Sequence, residues 1–244
     1  MSRHARVYSE SGYMHVFTRG NGKQILFEQR DDYICYLRLL RRSGAEANIS
    51  VCAFCLMENH VHLIVYDEER RISQMMRILG TGYSRYFNEK YKRTGHLFEG
   101  RFSSVPIESE DYLLTVFRYV LNNPRKANIC DAAVYPWSSY SRYGKTASFV
   151  DTSVFTKLIG SKEEYETFIA AKYEDLPELE ERPGSDEWAR LVIIQVLNAE
   201  SGTVLQTYDR ESRDEVLRLL KQKGLTIRQI ERLTGISRGV IQRA

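Results

Sequence analysis

The order of hydrophobic patterns along this 244-residue chain predicts an α+β fold. The expected architecture is a ferredoxin-like, split βαβ antiparallel sheet with an added helix, followed by a small all-α domain. Two observations carry that expectation. Strand-like and helix-like segments follow one another as β-α-β-β-α-β, with the middle strands joined by a tight turn and a further helix behind them. The chain then passes through an acidic stretch into a basic tail whose short helical patterns are punctuated by glycine.

Each element has a local reason. Gly12 to Thr18 alternates as a first strand, and Gly20-Asn21-Gly22 closes it with turn chemistry. Tyr33, Tyr36, Leu37 and Leu40 fall at helical spacing within a helix expected from Asp31 to Ser43 and ended by Gly44. Ile49 to Met57 and His60 to Tyr66 are β-branched and aromatic runs separated by Glu58-Asn59, a hairpin pattern. Ile72, Met75, Met76, Leu79, Tyr83, Tyr86 and Phe87 trace one apolar stripe of a helix over 72–91. Phe102 to Ile107 is a fourth strand, which Pro106 places at an edge. A third helix is expected from Glu108 to Asn123, stopped by Pro124.

Composition bounds the rest. With 43% hydrophobic and 27% charged residues and a mean hydropathy of −0.42, the chain has the make-up of a soluble globular protein. No uncharged apolar run approaches the roughly 20 residues of a membrane helix. The basic start, Met1 to Arg6, is followed by no apolar segment, so the expectation is a cytoplasmic protein. Cys52 and Cys55 form a lone C-x-x-C inside a strand pattern, which favours buried structural thiols over a zinc site. The net charge of +3 neither demands nor excludes nucleic acid, so its distribution decides more than its total.

That distribution is uneven. From Lys162 to Glu187 ten acidic residues face three basic ones, a balance of −7; from Arg210 to Ala244 nine basic residues face four acidic ones, a balance of +5. The expected division is therefore a domain over 1–150, an acidic linker region over 151–187 and a helical domain over 188–244. In the tail, helical patterns over 213–223, 226–234 and 238–243 surround Gly224 and the turn Gly235-Ile236-Ser237, with Ile230, Ile236 and Ile241 as the expected small core. This is a helix-turn-helix pattern, with Arg228, Arg238 and Arg243 as candidate DNA contacts. A plain three-helix bundle is the alternative.

Chemistry concentrates at two places. His60 and His62 share one face of their strand, where two imidazoles can hold a divalent cation. Tyr119 and Asn123 stand four apart on one helical face and could supply a phenolic nucleophile and a carbonyl ligand for Mg²⁺ or Mn²⁺. Taken separately, the histidines could be solvated, Tyr119 a packed aromatic and Asn123 a helix-end residue.

Together these motifs resemble the single-tyrosine HUH transposases of bacterial insertion sequences, and especially the REP-associated tyrosine transposases. His60-Val61-His62 matches the HUH motif, and Arg118-Tyr119-Val120-Leu121-Asn122-Asn123-Pro124-Arg125-Lys126-Ala127 the tyrosine helix. Gly95 to Phe102 and Tyr135 to Tyr140 match two flanking segments, so the resemblance spans about residues 8–145. It implies that His60, His62 and Asn123 hold Mg²⁺ or Mn²⁺ against a phosphate of single-stranded, hairpin-forming DNA. Tyr119 would then form a 5′-phosphotyrosine link and release a 3′-hydroxyl, and reversal would transfer and rejoin strands. In such enzymes the third ligand is commonly a glutamine, which Asn123 replaces with a shorter amide. Tyr112 is the competing nucleophile. Arg93, Arg101, Arg118, Arg125 and Lys126 lie around the motifs as candidate phosphate contacts. The implied partner is DNA, with no membrane, and the protein would act as a monomer or homodimer. The rival readings are a DNA-binding regulator that keeps the fold without cleaving, and an RNA-binding ferredoxin-like module. The latter would want exposed aromatics, not histidines, on the central strands.

Overall fold

The structure is a computed structural model that describes residues 7–171, 186–199 and 201–244. The chain forms two compact units, Met1–Asp175 and Leu176–Ala244.

The first unit is built on a four-stranded sheet in the order β2-β3-β1-β4: β1 is Tyr13–Arg19, β2 Ser50–Leu56, β3 His60–Tyr66 and β4 Ser103–Pro106. All pairings are antiparallel, which bears out the expected ferredoxin-like arrangement and the edge position of Pro106. The strands alternate their side chains, so the sheet has two unlike faces. Met14, Val16, Val61, Leu63 and Val65 face one way, into a core shared with α1 (Arg30–Ala47) and α2 (Ile72–Lys90). The expected α2 stripe supplies Ile72, Met75, Met76, Leu79, Tyr83 and Phe87 to that core. Asp32 ties the two helices: its fully buried carboxylate accepts from Lys90 at 2.6 Å, Tyr91 at 2.7 Å and Tyr86 at 3.0 Å, and caps the start of α1 by accepting from the Glu28 and Gln29 N–H groups.

The opposite face carries His15, Phe17, His60 and His62 and is covered by α3 (Glu110–Lys126), which lies against β2 and β3. Ser109 caps α3 by accepting from the Tyr112 N–H.

Three expectations are corrected. Gly44 does not end α1. The helix runs to Ala47 and ends at Asn48 in the left-handed conformation, because Gly44 is where the backbone of Ile49 passes close, and its carbonyl accepts the Ile49 N–H. Pro124 does not stop α3 either. The carbonyl its missing N–H leaves unbonded is that of Val120, and the Asn123 side-chain amide donates to it at 3.5 Å and to the Tyr119 carbonyl at 3.0 Å. Finally, residues 151–171 are not a linker. They form α4 (Ser153–Ile159) and α5 (Lys162–Ala170), anchored on α3 by the stacked Phe117 and Phe155 rings, 3.6 Å apart, and by the Asn122 amide donating to the Ile169 carbonyl. Acidic side chains dominate the exposed positions of α5, while Tyr165 and Ile169 are buried. The part of the expected linker over 172–185 lies outside the described residues.

The second unit is helical: α6 (Asp186–Leu197), a 3₁₀ turn, α7 (Arg210–Gln222), α8 (Ile227–Thr234) and α9 (Arg238–Arg243). Its core contains the expected Ile230, Ile236 and Ile241 together with Ile193, Leu205, Leu217 and Leu220. A capping box between Thr226 and Gln229 starts α8. Gly235, at φ 74°, turns the chain towards α9 where a side chain would be strained. Among the described residues no helix is long and apolar enough to cross a membrane.

Candidate metal and tyrosine site

The strand pairing puts His62 opposite Phe17 and His60 opposite Arg19. Both histidines lie on the face under α3, as their parity predicts. The Tyr119 ring meets His62 edge-on with centroids 5.5 Å apart, and Asn123 Oδ1 lies 3.5 Å from His60 Nε2. His60, His62, Tyr119 and Asn123 are thus brought together from β3 and α3, two elements far apart in the sequence.

The hydrogen bonds orient these polar groups. Asn123 uses its amide N–H groups on the Tyr119 and Val120 carbonyls, which turns its Oδ1 towards His60. His60 Nδ1 lies 2.8 Å from Asn59 Oδ1, an acceptor; when Nδ1 donates over this shorter contact, Nε2 carries the ring's lone pair. That nitrogen faces a second acceptor, Asn123 Oδ1. His62 Nε2 is buried and has no hydrogen-bond partner. Burial, and then the charges of His60, His15 and Lys126, hold the His62 imidazole well below its usual pKa, so it is neutral. Two imidazole nitrogens and an amide oxygen are what a divalent cation accepts as ligands. Among the described residues no group of three or more His, Cys, Asp or Glu side chains is placed to hold a metal, so the candidate third ligand is an amide.

Residues 8–123 match the family described as transposase IS200 like. That match, over a little under half of the chain, supports placing this segment with the IS200-like transposases. The match supports a transposase-like, DNA-processing function. Among solved structures, a REP-associated tyrosine transposase bound to a REP hairpin is similar at 16% identity and a TM-score of 0.51, over 58% of this chain and 84% of that one. A putative transposase from Deinococcus radiodurans R1 is similar at 16% identity and a TM-score of 0.36, over 50% of this chain and 97% of that one. No curated protein matches. The first likeness supports the fold.

The two flanking motifs have structural roles. In the first, Glu99 makes a paired ion contact with Arg19, at 2.5 and 3.2 Å, which fastens the Gly95–Phe102 segment to the end of β1. In the second, Trp137 stacks on Tyr33 at 4.3 Å, and Ser139 exchanges hydrogen bonds with the Phe54 backbone on the outer side of β2. Cys52 and Cys55 are buried free thiols, as expected, and Cys35 is buried as well.

The candidate phosphate contacts divide. Lys126 lies 5.5 Å over the Tyr119 ring, beside the site. Arg118 packs 3.9 Å over Phe168, and burial lowers its pKa. Arg93 is hydrogen-bonded to Gln24, and Arg125 lies 3.8 Å from Asp131. Arg101, Arg228 and Arg243 are exposed, whereas Arg238 is paired with Glu231 at 2.5 Å. Glu231, on α8, is half-buried and held by that pair. Tyr112 is half-buried two turns earlier on α3, and His96 is an exposed loop residue.

Sequence reasoning missed His15. It was visible only as one alternating position of a strand, and no pattern in the sequence gives the β1–β3 register that sets it beside His62.

Proposed function

We propose that this protein cleaves and rejoins hairpin-forming single-stranded DNA through Tyr119, with His60, His62 and Asn123 holding a Mg²⁺ or Mn²⁺ ion. The observation that carries the reading is the convergence of three acceptors, His60 Nε2, His62 Nε2 and Asn123 Oδ1, beside the Tyr119 ring. A cation bound there supplies charge that polarises the phosphoryl oxygens. The Tyr119 oxygen forms the new bond to phosphorus as the bond to the 3′ oxygen breaks. The phenolic proton is matched by the one gained by the departing 3′-hydroxyl, so no other reactant is consumed. Attack by a 3′-hydroxyl in reverse rejoins a strand. Tyr119 is 1% exposed, which keeps water from competing with that hydroxyl. Lys126 and Arg101 are the leading candidates for steering phosphate, and the exposed arginines of the second unit would add contacts to duplex DNA.

The burial of Tyr119 also favours a second reading, a DNA-binding regulator that does not cleave. A labelled single-stranded hairpin incubated with the protein and Mn²⁺ separates the two on a denaturing gel. The expected result is a covalent adduct that disappears with chelator and in Tyr119→Phe. An adduct that survives Tyr119→Phe but not Tyr112→Phe would move the nucleophile, and no adduct with any hairpin would leave the regulator.

A further inference from the structure

His15 lies on the same sheet face as His62, one strand over, and touches it directly. Its Nε2 is 3.0 Å from His62 Nδ1, and the two rings are stacked with centroids 5.2 Å apart and planes 13° from parallel. The Tyr119 ring closes over both, edge-on to His15 at 6.3 Å and to His62 at 5.5 Å. Both imidazoles are buried. The charged form is disfavoured in that dry interior, so each ring is neutral and carries one proton.

One proton lies between the two rings, and it can belong to either. If His15 Nε2 donated, the His62 proton would sit on its Nε2, as a buried N–H donor with no acceptor. Orphaned buried donors are rarer and costlier than under-satisfied acceptors. If His62 Nδ1 donates to His15 Nε2, His62 Nε2 is left as a lone pair aimed at the candidate cation position. Asn59 Oδ1 holds His60 in the same way, by accepting from its Nδ1.

We infer that His15 is a positioning residue: it accepts the His62 Nδ1–H and so holds His62 in the tautomer whose Nε2 can ligate a metal. This rests on the proposed metal site for its purpose, but not for the tautomer itself. An acceptor behind a ligating histidine fixes ring orientation and tautomer, and its loss typically weakens metal binding about 10–100-fold.

The test uses the full chain without metal. Long-range ¹H–¹⁵N spectra of the ¹⁵N-labelled protein should show a protonated Nδ1 and an unprotonated Nε2 on His62. In His15→Phe, which keeps a flat ring but no acceptor, that tautomer preference should be lost. In His15→Gln, whose amide oxygen can accept, it should return. Mn²⁺ titrations followed by electron paramagnetic resonance should show affinity falling about 10–100-fold in His15→Phe and recovering in His15→Gln, with thermal melts reporting that each variant is folded. A His62 proton found on Nε2 in the unaltered protein overturns the inference, and this reading needs no variant to fold. Equal Mn²⁺ affinity in His15→Phe also overturns it. If the unaltered protein has the expected tautomer yet binds no Mn²⁺, the metal reading fails while the hydrogen-bond assignment stands.

Discussion

The two faces of the central sheet differ by one pleat in sequence and by their whole chemistry. Leu63 belongs to the face packed on α1 and α2, where apolar side chains fill the interior. His62, its neighbour, belongs to the face under α3, where it is equally buried but keeps a nitrogen without a partner. The first face is explained by burial alone. The second is not, because His62 Nε2 is buried without a partner, a cost that an apolar side chain at position 62 would not carry. A buried polar group that stability does not require is the mark of a site.

The contrast can be broken at its strongest point by Leu63→Ala, expected to lower stability by about 2–5 kcal/mol. Urea unfolding measures this, and the folded fraction should still form the covalent adduct. A smaller effect is expected where the helical layer is itself polar. Asp32→Ala removes the buried partner of Lys90 and should cost about 3 kcal/mol. Burial pushes the Asp32 carboxyl up, but hydrogen bonds from Lys90, Tyr91, the Gln29 N–H and Tyr86 outweigh it and hold the pKa below its usual value. A carboxyl whose folded pKa is depressed stabilises above its unfolded pKa and loses that contribution as pH falls through the folded one. The gap in urea midpoint between the two proteins should therefore narrow in acid; a constant gap would contradict the assignment. The smallest stability effect belongs to the other face. His62→Phe should change stability by about 1 kcal/mol, since it removes the unpartnered Nε2 but also leaves the His15 Nε2 without its donor, while Mn²⁺ binding is lost. A loss as large as that of Leu63→Ala would erase the difference between the faces.

Much of this was legible in the sequence because it depends on local periodicity. The parity of His60 and His62, the α2 stripe and the small core of Ile230, Ile236 and Ile241 follow from spacing along one element. What was not legible depends on partners distant in the chain or on side-chain contacts that spacing does not reveal. Pro124 stays helical because the Asn123 amide covers the carbonyl it orphans. The 151–171 segment folds because Phe155, Tyr165 and Ile169 find α3. His15 gains its role from a strand register that no local pattern encodes.

The Trp137–Ser139 segment has a further consequence. It bonds to the outer side of β2, while the opposite side of the sheet ends in the four-residue β4 with its proline. Neither margin offers a long row of open backbone groups on which a strand from another molecule could grow. The sheet is thereby guarded against edge-to-edge polymerisation.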